Sequence, residues 1–239
     1  MNIRPYIVLN DVSSQTVQGL IISSLPAIAK PKIRTMIEEI DGRDGDIVTP
    51  LGYSAYDKAV EIGLSYGYDI DDVIQFFNSS GKVVFSNEPE KYYNYAIYEQ
   101  INFEKLIRFR TATVVFHVQP FKYSDVEGEK TFNFSDVSSG SLQIRNNGNI
   151  YSKPTITITG SGTVNLSLNG QQIFVLNMAT TGTIILNIDE MNAFGTDGTL
   201  KNRMVTGDYD DFVLQSGNNT ISFTGSVTQI LINNYSRWV

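Results

Sequence analysis

The sequence predicts a mainly β protein with two domains, and three observations lead to this fold class. Charge density falls along the chain, because residues 1–130 contain 31 charged side chains and residues 131–239 contain 12. The later part alternates apolar residues with Thr, Ser and Asn, a pattern typical of strands with one solvated face. The earlier part consists of short extended runs and one helical segment. We therefore place the junction within residues 123–130 and the domains at 1–128 and 129–239.

The first domain is predicted to contain strands and one helix. RPYIVLNDV, VQGLIISSLP, KIRTMIEEI and VEIGLSYG each indicate a short strand. DIDDVIQFFNSSG then places apolar residues at helical spacing, after an acidic start and before Gly81, which are the expected signals of a helix: Ile70, Val73, Ile74 and Phe77. Strands resume with KVVFS, and the runs YNYAIYEQINFE and KLIRFRTATVVFHVQ predict a long hairpin that turns near residues 103–105.

The second domain is predicted to be entirely β. TITITGSGTVNLSLNGQQIFVL alternates apolar and polar residues, and Asn169-Gly170 is a strong hairpin signal. Residues 160–162, Gly-Ser-Gly, predict a second turn. Further strands are predicted at 181–188, 211–215, 218–225 and 226–235. This spacing favours a β-sandwich of the jelly-roll or lectin-like kind.

Composition excludes several kinds of chemistry. The absence of Cys removes disulfide frameworks, thiol nucleophiles and Cys-based zinc sites. The single His, His117, falls on the wetter face of a predicted strand, without a second His to complete a catalytic or metal site. A net charge of −7 argues against nucleic-acid binding. The sequence contains no apolar run of membrane-spanning length and no signal-peptide core, so we expect no membrane association.

Acidic and aromatic clusters each have a functional and a structural interpretation. Three acidic clusters could supply paired carboxylates or calcium ligands, yet they also read as a tight loop, a helix cap and a turn: Asp41/Asp44/Asp46, Asp69/Asp71/Asp72 and Asp208/Asp210/Asp211. The tyrosines at 92, 93, 95 and 98 could form a sugar-stacking platform or a protein contact, or Tyr93 and Tyr95 could face a core. We assign no residue to catalysis, metal binding or cofactor binding.

Several segments along nearly the whole chain carry a family resemblance. They include IDGRDGD (40–46), the helix from DIDD through VVFSNEPEKYY, TATVVFHVQPFKYS, KPTITITGSGTVNLSLNG, FVLQSGNNTISFTG and the terminal SRWV. VVFSNEPEKYY is the most specific, because helix, strand and turn come in the family's order. By these segments the chain resembles the distal tail proteins of long non-contractile-tailed bacteriophages.

The resemblance implies a structural virion protein at the tip of the phage tail, with neither enzymatic activity nor a cofactor. Its N-terminal β-sandwich domain, with one α-helix, would form a ring, typically a hexamer, and a galectin-like C-terminal β-sandwich would project from it. The ring would connect the tail tube protein above to the tail-associated lysin or tail tip protein below, and to receptor-binding or baseplate proteins. Some members carry inserted sugar-binding modules, for which this chain has no room.

The resemblance also places an extended hairpin near residues 40–46 that embraces the next subunit. The first domain carries basic segments at 30–34 and 105–110 and acidic segments at 38–46 and 69–72, as a head-to-tail ring needs. We predict an oligomer interface at one set of charged residues: Asp41, Arg43, Asp44, Asp46, Asp69, Asp71 and Asp72. Arg43 would pair with the carboxylates at 69–72 of a neighbour. Taken alone, the same charges are also compatible with ordinary solvated surface.

Two other functions fit a β-sandwich. One is a lectin-like protein that binds or cleaves carbohydrate, and the other is a tube or baseplate protein of a contractile tail. The second domain has few aromatic residues for sugar stacking and no recognisable acid/base pair, which favours the ring subunit over the carbohydrate-binding protein.

Overall fold

We describe the protein from a computed structural model, which describes residues 4–42, 44–135 and 137–239. The chain divides into two compact units, one that ends at Asp125 and one that spans Val126–Trp238. This division falls within the segment where charge density changes. Strands dominate both units, so the predicted mainly β class is confirmed.

The N-terminal unit contains a large sheet, a separate hairpin and two helices within its described residues. Its elements are β1 (Ile7–Leu9), β2 (Val12–Ser13), a 3-10 helix (Ser14–Thr16), β3 (Leu20–Ser24), β4 (Ile33–Glu39), β5 (Asp46–Tyr53), β6 (Tyr56–Leu64), α1 (Ile70–Phe77), β7 (Gly81–Phe85), β8 (Lys91–Ala96), α2 (Phe103–Phe109) and β9 (Thr111–Ser124). Seven strands of this unit lie in the large sheet in the order β2, β1, β7, β8, β9, β6, β3, whereas β4 and β5 form a sheet of their own.

The core of this unit is built on β9 and β6. Along β9, Ala112, Val114 and Phe116 are buried and alternate with exposed or half-buried residues, as the sequence predicted. The ring of Phe116 packs against those of Phe85, at 5.8 Å, and Phe77, at 6.5 Å. Helix α1 thus covers the apolar face that the alternation of β9 creates.

The predicted helix is present as α1 with the predicted acidic start, but Asn78 caps its C-terminus and the predicted stop, Gly81, begins β7. The Asp69 carboxylate accepts a hydrogen bond from the Asp71 amide at 2.9 Å, which satisfies one of the unpaired amides at the helix start. The buried face differs slightly from the prediction. Phe76 is buried with Val73 and Phe77, whereas Ile74 is 37% exposed.

A second helix, α2, lies where the sequence predicted a hairpin turn. Asn102 caps it, because its side-chain oxygen accepts from the Lys105 amide at 2.7 Å, and Arg110 ends it in the left-handed conformation. The helix buries Leu106, which allows the chain to enter β9 at Thr111. A stretch this short is decided by packing rather than by its own propensity.

The C-terminal unit contains strands and one short 3-10 helix among its described residues. These are β10 (Lys130–Asn133), β11 (Ser139–Asn146), β12 (Thr155–Leu168), β13 (Gln171–Asn187), β14 (Asn192–Phe194), the 3-10 helix (Asn202–Met204), β15 (Val205–Gly207), β16 (Gly217–Asn233) and β17 (Arg237–Trp238).

Three long strands, β12, β13 and β16, form the centre of this unit. The first half of β16 pairs with β11 and its second half with β10. Likewise, β13 pairs first with β15 and then with β14. Side chains from both halves form one buried cluster, so the sheet folds over on itself around a single core.

The long strands confirm one predicted turn and correct others. Asn169 and Gly170 have φ values of +51° and +89° and join β12 to β13, as predicted. Residues 160–162 were predicted as a turn but form a bulge within β12, and 218–225 and 226–235 belong to one strand, β16. The predicted strand at 211–215 is also wrong, since Leu214 makes an isolated bridge to Ser152 there.

We predict that the bend of β16 requires Gly225. Its φ is +110°, and a Cβ at this position would overlap the carbonyl oxygen of Thr163. Gly225→Ala should therefore lower the free energy of unfolding by about 2–4 kcal/mol in urea titrations. Gly182→Ala is the control, because its Cβ would lie 3.8 Å from the nearest atom, the Thr180 oxygen. Equal stability of both variants would contradict the requirement.

Candidate functional site

A hairpin formed by β4 and β5 lies apart from the large sheet, and we call it the arm (residues 33–53). Its pairing runs from Ile33 opposite Tyr53 to Glu39 opposite Asp46. Every residue of β4 is exposed, and β5 is exposed except for the half-buried Ile47 and Tyr53. The arm therefore has almost no packing within its own unit.

The arm exposes apolar side chains. Ile37 and Val48 lie opposite each other on one face and are 58% and 56% exposed. Met36, on the other face, is 48% exposed, and Leu51 is 55% exposed. An isolated two-stranded hairpin is marginally stable in water, and clustered exposed apolar residues mark contact surfaces. The arm thus has the properties of a segment that another chain covers.

The tip of the arm concentrates negative charge. Asp41 and Asp44 lie in the connecting loop with Gly42 and Gly45, whose φ values of +83° and +79° allow the reversal. Asp46 begins β5 directly opposite Glu39. Like charges in opposite positions destabilise a hairpin, so a basic partner would relieve the repulsion. Arg43, the cation predicted here, lies outside the described residues.

The second predicted cluster lies at the start of α1. Asp69 caps the helix, while Asp71 and Asp72 are exposed in its first turn. Asp72 also borders a cavity of about 360 Å³ lined by Val12, Thr16 and Phe76. Among the described residues, no hydrogen bond or ion pair joins this cluster to the arm tip. Within one subunit the two predicted halves of the interface thus remain on separate elements.

The residues considered for catalysis have ordinary structural roles. His117 pairs with the exposed Asp57 through Nδ1 and Oδ1 at 2.7 Å. Asp210 forms an ion pair with Lys153, also at 2.7 Å, while Asp208 accepts from the Asp210 amide. Within the part of the chain that the structure describes, no group of three or more acidic or His side chains could hold a metal ion.

The tyrosine cluster divides between core and surface. Tyr93 and Tyr95 are buried, at 0% and 5% exposure, and Tyr98 is 77% exposed. The interpretation in which Tyr93 and Tyr95 face the core is therefore the correct one. Burial raises the pKa of both side chains, since the charged phenolate is disfavoured away from water.

A cavity of about 320 Å³ opens in the C-terminal unit. It is lined by Met178, Thr183, Ile184, Asp197 and Lys201, among others, and no aromatic side chain is in its described lining. Hydrogen bonds from Thr199 lower the pKa of the exposed Asp197. The cavity lacks the stacking surface on which sugar recognition usually depends.

Sequence reasoning identified the loop at 41–46 and a strand on its N-terminal side but missed the isolation of the arm. A usable signal exists in KIRTMIEEI, where Ile33, Met36, Ile37 and Ile40 do not alternate cleanly with polar residues. Apolar residues on both faces of a strand indicate either burial between layers or an unfilled contact. As for membranes, none of the described helices is long and apolar enough to cross one.

No protein-family model matches the sequence, and no curated protein sequence matches it either. Solved structures do. The SPP1 Dit protein (gp 19.1), described as a paradigm of the hub adsorption apparatus in phages that infect Gram-positive bacteria, aligns with a TM-score of 0.67 and 15% identity over 98% of this chain and 99% of that one. A chain of the phage P2 baseplate in its activated conformation with Ca aligns with a TM-score of 0.55 and 10% identity, over 99% and 98%. The chain therefore has the fold of a phage Dit protein along nearly its whole length, and the predicted resemblance is confirmed for the fold.

Proposed function

We propose that the chain is a distal tail protein, a structural subunit of the adsorption hub at the tip of a phage tail. The observation that carries this proposal is the whole-chain likeness to the SPP1 Dit protein, which includes both units. The exposed arm supports the same role, because a hub is built from subunits that must hold one another. The proposed location is the virion, at the end of the tail tube.

We propose further that the subunits form a closed ring in which each arm lies against the next subunit. A ring needs two different surfaces on each subunit, since its contacts run head to tail. The arm is one of these surfaces. Its apolar residues, with Ile37 and Val48 at the centre, would form the buried part of the contact, and the acidic tip would set its register. Six subunits are the number that the family resemblance implies.

The charged residues predicted at the interface fit this arrangement as follows. Asp41, Asp44 and Asp46 belong to the arm tip, and Asp69, Asp71 and Asp72 belong to the receiving surface of the neighbour. Arg43 would bridge from the tip to the carboxylates at the start of the neighbour's α1. On α2, the exposed Lys105 offers a partner for the remaining acidic charge of the tip, whereas Arg108 already pairs with Glu104 at 2.7 Å.

The two units have separate proposed tasks. Residues 1–128 would form the ring and contact the tail tube protein. Residues 129–239, as a galectin-like β-sandwich, would project from the ring. The tail-associated lysin or tail tip protein, and any baseplate or receptor-binding proteins, would attach on the far side of the hub.

The proposed ring leads to a prediction about the arm. Purified wild-type protein should form closed oligomers, and Ile37→Asp/Val48→Asp should return it to the 26.6 kDa monomer in light scattering. Carboxylates forced into an apolar contact should weaken association by about thirtyfold or more. Arg43→Glu, measured in the same way, should shift the equilibrium in the same direction without changing the β-rich circular dichroism.

The control for this experiment is Leu200→Asp, which places the same charge on a 65% exposed residue outside the arm. It should leave the oligomer intact. Arm variants with unchanged mass over a wide concentration range would remove the arm from the interface. Wild-type protein that stays monomeric with and without tail proteins would contradict the ring itself.

We also propose that the chain acts without catalysis. The pairing of His117 with an exposed Asp57 and the scattered acidic residues support this view. Pure protein incubated with host cell-wall polysaccharide should release no reducing ends above the buffer background. Release that a single Asp or Glu substitution abolishes would overturn the proposal.

A further inference from the structure

The segment that leads into the arm has no regular structure, but side chains of the sheet form hydrogen bonds to it. Residues 25–32, which we call the strap, connect β3 to β4 and contain two buried prolines, Pro26 and Pro31. Proline fixes φ and carries no amide hydrogen, so these positions restrict the chain without leaving a buried donor unpaired. The carbonyl oxygens of the strap still need donors.

Three side chains of the unit supply those donors. The Asn87 side-chain amide donates to the Pro26 oxygen at 3.0 Å, and the Lys58 ammonium donates to the Ala27 oxygen at 3.0 Å. The Tyr56 hydroxyl donates to the Ala29 oxygen at 3.3 Å. The donors belong to β6 and to the turn after β7, so the strap is tied to two different parts of the sheet.

Lys58 is the central member of this set and is 3% exposed. Its ammonium lies over the rings of Tyr93, Tyr56 and Phe85, at 4.9, 5.4 and 5.6 Å from their centres. Ring faces attract cations, and this attraction grows when water is excluded. Burial nevertheless lowers the pKa of Lys58.

The second nearly buried ammonium in this region belongs to Lys122. Lys122 pairs with Glu88 at 2.8 Å, and both side chains are nearly buried, at 8% and 10% exposure. The Tyr93 hydroxyl donates to the other oxygen of Glu88 at 3.0 Å. Lys122, and not Lys58, is thus the ammonium that pairs with this carboxylate. A buried charge needs hydrogen-bond partners, so loss of the hydrogen bond from the Lys58 ammonium to the Ala27 oxygen would be costly.

The other end of the arm is also attached. The Ser54 amide donates to the Lys32 oxygen at 2.8 Å, which continues the pairing of β4 with β5 at the base of the arm. The ring of Tyr53 packs edge-on against Phe121 with 5.4 Å between the centres. Both ends of an otherwise exposed hairpin are thus fastened to the sheet.

We propose that Lys58, with Asn87 and Tyr56, holds the strap so that the arm already points in its assembly direction in the free subunit. Preorganisation of this kind lowers the ordering cost of association. Lys58 is on this view a positioning residue for the subunit contact. The link to assembly rests on the proposed ring, whereas the direction of the arm is a property of the single subunit. A methionine would fill the same space among three rings without a buried charge, so packing alone does not require lysine here.

The experiment measures the arm direction in the free subunit. Because the sequence contains no Cys, spin labels at Asp44→Cys and Thr113→Cys report one distance, from the arm tip to the exposed face of β9. The Ile37→Asp/Val48→Asp background keeps the protein monomeric. We expect a narrow distance distribution with Lys58 and a clearly broader one with Lys58→Met. Without the two Asp changes, Lys58→Met should raise the concentration for half-assembly by about tenfold.

Other variants and outcomes decide the proposal. Lys58→Met should unfold at the same temperature as the wild type or at a higher one. Tyr56→Phe removes one donor and keeps its ring, so it should broaden the distance distribution less than Lys58→Met does. Lys201→Met in the other unit is the control and should change neither measurement. A broad wild-type distribution, or a Lys58→Met protein with an unchanged distribution, would overturn the proposal. Unchanged assembly of Lys58→Met, measured where the wild type does assemble, would overturn it as well. If the wild type never assembles but Lys58→Met still broadens the distribution, the arm inference stands and the ring fails.

Discussion

The structure depends on one constraint, which is that the arm cannot bury its own apolar side chains. The large sheet is complete without β4 and β5, and the core of the unit closes over Phe116 and α1. Ile37 and Val48 therefore remain in water within a single subunit. Hydrophobic burial drives folding. The apolar side chains of the arm are not buried within their own subunit, and in the proposed ring a second subunit would bury them. The same proposed contact between subunits would account for the charged surface and the anchored strap of the N-terminal unit.

The two units differ in composition, and each composition matches the surface that its unit presents. The N-terminal unit is rich in charge, and the head-to-tail contact proposed for it would need surfaces of unlike sign. The C-terminal unit builds its outer surface from hydroxyls and amides and gains its stability from three long strands that bend around one core. Gly225 and the bulge near Gly160 make these bends possible.

Local patterns in the sequence predicted the elements that local physics decides. The alternation of β9, the capped helix α1 and the Asn169-Gly170 hairpin all follow from backbone preferences and the periodicity of apolar residues. The errors lie where distant contacts decide. Residues 160–162 look like a turn but continue a strand because β13 and β16 pair on both sides of it. The short α2 depends on burying Leu106. The isolation of the arm depends on distant strands that complete the large sheet without β4 and β5, and KIRTMIEEI signals only that both faces of the strand carry apolar residues.

Direct imaging of the purified chain tests the central claim, that the arm is covered by a second copy. Electron micrographs of the wild-type protein should show closed rings with a central hole, and a reconstruction should place residues 33–53 of each subunit against the next one. Single particles without rings, or rings in which the arms remain free in solvent, would contradict this account.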